Sequence, residues 1–162
     1  MAHDQELRTQ LVALLRGGQA YMPFDEAVGK FPMDQINTKP ATVTYSFWHL
    51  LEHLRIAQWD ILDYITNSDY VAPEWPAGYW PAPDATTDTD GWQQTISQFH
   101  ADQNALIAII ENPANDLTAP LPHAPQHTIL REILVVADHN AYHTGELAIL
   151  RQVMNLWPAK HH

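Results

Sequence analysis

The stretch that decides the fold is DGWQQTISQFHADQNALIAIIEN, residues 90–112. Trp92, Ile96, Phe99, Gln103, Leu106 and Ile110 follow one another at intervals of 4, 3, 4, 3 and 4. Such spacing places one side chain per turn on a single face of a helix, the face that a bundle buries. Asp90-Gly91-Trp92-Gln93 reads as the start, a capping box with Asp in place of Ser or Thr, and Asn112-Pro113 as the stop.

Three further segments read the same way. Leu7, Leu11, Leu14 and Leu15 form an apolar stripe between about Asp4 and Gly17. A second helix is expected from Thr44 or Ser46 to Thr66, stopped by Asn67-Ser68. A last one opens at Thr128, a good N-cap, and runs to about Asn155. The connectors between them are rich in proline. Tyr21 to Pro40 has room for one short helix near Phe24–Val28. Val71 to Asp84 carries four prolines with Trp75, Tyr79 and Trp80, which suit a loop packed on the body of the protein. A second proline loop holds His123 and His127. Period-2 alternation is not sustained, so no strands are expected. The expected fold is all-α, a four-helix bundle with long crossover connections in a single domain, residues 1–162.

Composition narrows the function classes. Eight Lys+Arg against 19 Asp+Glu give a net charge of −11, which repels phosphate backbones and anionic membrane surfaces. Nucleic acid and membranes are therefore not expected partners. No basic-then-apolar leader or membrane-length apolar run is visible, so a cytoplasmic protein is expected. The 46% hydrophobic content is too high for a disordered chain. There is no cysteine, so any metal site must use His, Asp or Glu, and there are ten histidines. The terminal pair, His161 and His162, is given no functional weight.

His139 and His143 stand four apart on the last helix, where two imidazoles share one face. The spacing matches the zinc pair of H-E-x-x-H, but the second position is Asn140, so the metalloprotease base is missing. His49 and His53 form a second pair on the second helix. One histidine from that helix plus two from the last would leave an open position, the pattern of a catalytic metal. Glu146, three residues after His143, and Asp60, seven after His53, are candidate catalytic or orienting carboxylates.

Trp48-His49-Leu50-Leu51-Glu52-His53-Leu54-Arg55-Ile56-Ala57-Gln58-Trp59-Asp60 and Asp138-His139-Asn140-Ala141-Tyr142-His143-Thr144-Gly145-Glu146-Leu147 resemble the two metal-ligand helices of the DinB/YfiT-like superfamily. Glu74-Trp75-Pro76-Ala77-Gly78-Tyr79-Trp80-Pro81 and Leu121-Pro122-His123 resemble loops of one branch of it. The resemblance implies a divalent ion, Zn or Ni foremost, held by His53, His139 and His143, with His49 as the alternative on the second helix. It further implies a homodimer and a small-molecule substrate, with a low-molecular-weight thiol as cosubstrate in transfer chemistry, or hydrolysis. The alternative is a non-enzymatic, stress-associated dimeric metal-binding bundle. With no cysteine in the chain, any reacting sulfur has to arrive with a small molecule.

Overall fold

A computed structural model describes residues 2–158, so His161 and His162 lie outside the described residues. Four long helices dominate: α1 (Ala2–Arg16), α3 (Phe47–Thr66), α4 (Thr89–Glu111) and α5 (Ile129–Val153). The short α2 (Phe24–Val28) lies where the first connector leaves room for it. α3 packs on both α4 and α5, and α1 packs on the same two helices. Chain-consecutive long helices α1 and α3, and likewise α4 and α5, make little contact with each other. The connectors 17–46 and 112–128 therefore cross between diagonal positions, whereas 67–88 joins two helices that pack on each other.

Local chemistry explains where the helices begin and end. Gly17 and Gly18 follow α1 with φ of 71° and 77°, a region that side chains with a Cβ rarely adopt. Ser46 caps α3, and its side chain accepts from the His49 backbone N–H. Thr128 caps α5 by accepting from the Arg131 N–H. α4 starts earlier than its sequence suggests: the cap is Asp88, which accepts from the Gly91 N–H at 2.9 Å, and Asp90 lies inside the first turn. An acidic residue there still favours the positive end of the helix. Pro120–Leu121 and Ala124–Thr128 pair as a small antiparallel hairpin, β1 and β2, where no strand was expected. Its proline content masks the pattern, and β1 spans only two residues.

Apolar burial falls into two clusters. One joins Phe47, Leu50, Leu51 and Leu54 of α3 to Trp92, Phe99, Leu147 and Leu150, and takes in Phe24 and Phe31 of the first connector. Phe24 stacks on Phe99 at 4.0 Å, and Phe31 lies 4.0 Å from Phe47. The other gathers Leu11, Leu15, Leu106, Ile110, Ile133 and Val136. Two buried arginines close the ends of this body. Arg151 donates to the carbonyls of Ala27, Gly29 and Lys30 and ties the first connector to α5. Arg8 donates to the carbonyls of Ile110, Asn112 and Asn115, the orphan acceptors after α4. No helix among the described residues is long and apolar enough to cross a membrane.

Candidate metal centre

α3 and α5 pack side by side, and this contact brings His53 against His139 and His143. One ligand atom from each of the three lies within 4.8 Å of the others. His53 Nε2 is 3.2 Å from His143 Nε2 and 3.2 Å from His139 Nε2. Two nitrogens bound tetrahedrally to one ion at about 2.0 Å lie roughly 3.3 Å apart, so the spacing fits a shared cation.

The far side of two rings decides their tautomers. His53 Nδ1 donates to the Tyr79 carbonyl at 2.8 Å. His143 Nδ1 donates to Glu146 Oε2 at 2.7 Å. A carbonyl and a carboxylate can only accept, so both Nδ1 atoms carry protons, and in the neutral form of each ring Nε2 presents a lone pair. Glu146 is held below the ordinary carboxylate range, first by that bond from His143. With the three rings neutral, His139 Nε2 can lend one proton to His53, but the His53 and His143 lone pairs then still face each other. A cation between them removes that conflict. His139 Nδ1 is buried without a hydrogen-bond partner, so its tautomer is free to follow the occupant of the site.

Burial pushes the His139 imidazole down to about 3, and the neighbouring His143 and His53 add to the effect. Burial also lowers His53. Both rings stay neutral, as metal ligands must.

Behind the rings stands a supporting layer. Tyr45, from the connector before α3, donates its hydroxyl to Glu146. Burial raises the Tyr45 hydroxyl to about 12, and the bond to Glu146 adds to the rise, so it remains a donor. Trp80 lies flat on His53, ring centroids 3.9 Å apart and planes 3° apart. Asp60, buried on α3, accepts from the Tyr70 hydroxyl at 2.8 Å and the Tyr79 hydroxyl at 3.0 Å. Asp60 thus anchors the residue whose carbonyl orients His53 and does not itself touch the cluster.

His49, the alternative on α3, is occupied elsewhere. Its Nδ1 accepts from Ser46 at 2.7 Å and its Nε2 donates to the Ala82 carbonyl at 3.1 Å. It closes the capping box of α3, with both ring nitrogens spent.

A family model described as the DinB superfamily matches residues 18–147. The chain belongs to the DinB superfamily. No curated protein and no solved structure matches it significantly. The region shared with the DinB superfamily contains all three clustered histidines and Glu146.

Other sequence candidates fall outside the cluster of this DinB protein. His127 Nδ1 meets the Tyr64 hydroxyl at 2.6 Å. Beside His127, the almost wholly buried Glu132 pairs with Arg131 at 2.6 Å. Trp75 is 74% exposed, its ring against that of Tyr79 at 5.4 Å between centroids. Tyr45 was invisible to sequence reasoning. It sits far from Glu146 along the chain, and no spacing rule links a connector tyrosine to a helix glutamate.

Proposed function

We propose that this DinB-superfamily chain is a divalent-metal-dependent enzyme whose ion, Zn²⁺ or Ni²⁺, is held by His53, His139 and His143. Nitrogen ligands alone do not select between these ions. The observation that carries the reading is the facing of the His53 and His143 Nε2 lone pairs at 3.2 Å, with both Nδ1 protons committed to other acceptors. A bound ion with an open position lowers the pKa of a water or thiol placed there.

The chain's own residues supply the rest. Glu146 keeps His143 in the ligating tautomer and adds negative charge behind it. Tyr45 holds Glu146. The Tyr79 carbonyl and the Trp80 ring fix the orientation of His53. The reaction is transfer of a low-molecular-weight thiol to an electrophile, or hydrolysis of a small substrate, by a cytoplasmic homodimer. With a net charge of −11 and no cysteine, the partners are small molecules and the sulfur is external.

A panel of small thiols with an electrophilic dye, run on metal-loaded and chelated protein, tests this. Metal-dependent, thiol-dependent loss of the dye is expected. Stoichiometric metal with no turnover toward any thiol or ester probe would favour a non-enzymatic metal-binding bundle.

A further inference from the structure

A cavity of about 310 Å³ borders the histidine cluster, lined by Thr44, Tyr45, His49, Trp80, Pro81 and Pro83. A larger one, about 540 Å³, lies between α3 and α4, but its lining includes none of the clustered histidines and none of the groups hydrogen-bonded to their rings. The smaller cavity shares two walls with the metal centre. Trp80 presents one face to His53, and the Tyr45 hydroxyl is bonded to the glutamate that holds His143. Trp80 and Tyr45 also lie against each other, with centroids 5.5 Å apart.

The lining offers a ligand no charged group, only neutral donors and acceptors such as the Thr44 hydroxyl and the Trp80 indole N–H. Both His49 nitrogens are committed to Ser46 and Ala82, and the Tyr45 hydroxyl to Glu146. No carboxylate, ammonium or guanidinium lines the cavity. Lys39, the cation bonded to this loop, donates its ammonium to the Pro83 carbonyl. A charged group entering here would lose water and find no oppositely charged partner, whereas an apolar group would gain contact with two aromatic rings and two prolines. The volume is at the small end of the ~300–1,000 Å³ usual for ligand pockets.

We propose that this cavity receives an uncharged ring or short branched alkyl group of the substrate, seated against Trp80 and Tyr45 beside the metal centre. The assignment rests on the metal-centre reading above. It makes the substrate an amphiphile, with its reacting group at the histidines and its apolar group under the 71–84 loop.

Benzyl alcohol, benzoate and benzylammonium, titrated by NMR into metal-free and zinc-loaded protein, test the assignment. Benzyl alcohol is expected to bind and shift the Trp80 indole N–H resonance. The two charged analogues are expected to bind at least about tenfold more weakly. Thr44→Glu, and separately Pro83→Glu, introduce a carboxylate into the lining at exposed positions. Each should weaken benzyl alcohol by about tenfold or more while zinc affinity stays unchanged. Equal binding of the three probes, or indifference to both substitutions, would overturn the proposal. Zinc bound without benzyl alcohol uptake also defeats it, whereas benzyl alcohol uptake by a protein that binds no zinc defeats the metal-centre reading instead.

Discussion

On α3, His49 and His53 stand four residues apart; on α5, His139 and His143 do the same. The α5 pair turns both rings toward one point, with centroids 4.4 Å apart. The α3 pair divides. His53 joins the cluster, while His49 is spent on the helix cap and the Ala82 carbonyl. Helical spacing decides only which face a side chain shares. The partner at the other ring nitrogen decides whether a lone pair is left to give. His53 and His143 have an acceptor at Nδ1, which frees Nε2. His49 has an acceptor at Nε2 and a donor at Nδ1, which leaves nothing.

The largest expected effect separates the two members of the α3 pair. His53→Ala, His139→Ala and His143→Ala should each abolish stoichiometric metal binding by competition titration, a loss exceeding the ~10–100-fold typical of residues standing behind ligands. His49→Ala should keep metal affinity and lose stability by about 1 kcal/mol, the cost of a cap, or ~2–4 °C in thermal midpoint by calorimetry.

Next comes the support behind the α5 pair. Glu146→Gln should weaken metal by about tenfold and Glu146→Ala by up to ~100-fold, because the tautomer of His143 is no longer enforced. Unchanged affinity in both would mean that this carboxylate does not prepare His143. Asp60 acts on His53 at one further remove, so Asp60→Asn should weaken metal only a few-fold and cost about 1 kcal/mol through one lost acceptor. A metal loss as large as that of His53→Ala would mean that Asp60 acts directly.

The smallest effect is on pH dependence. His53 and His139 are lowered in the folded protein, chiefly by burial. Below the ordinary histidine value of 6.5 the unfolded chain takes up protons that these folded rings refuse, so stability falls as pH falls. Denaturant titrations of metal-free protein should show that loss between about pH 6.5 and pH 3, where His139 itself titrates. His139→Ala should flatten it.

Much of this was legible in the sequence. The 4-3-4-3-4 stripe of α4 and the cap Thr128 follow from local rules, and the structure has them; of the two starts open for α3, Thr44 and Ser46, it takes Ser46. The three histidines came from spacing plus resemblance, and they do converge. What escaped depended on backbone conformation or on tertiary contacts. Asp88 and Asp90 are equally good caps by type, and the Asp88 backbone takes the cap's extended conformation. The β1–β2 hairpin is hidden by its prolines. The role of His49 depended on a carbonyl from the 71–84 loop, and that of Tyr45 on a glutamate three helices away along the chain.

The most direct test is the metal content of the untagged protein, carrying His161→Ala and His162→Ala to remove the terminal pair, measured alongside His49→Ala and His53→Ala. One ion per chain in the parent and in His49→Ala, and none in His53→Ala, is the predicted result. Metal lost from His49→Ala but retained by His53→Ala, or substoichiometric metal throughout, would contradict it.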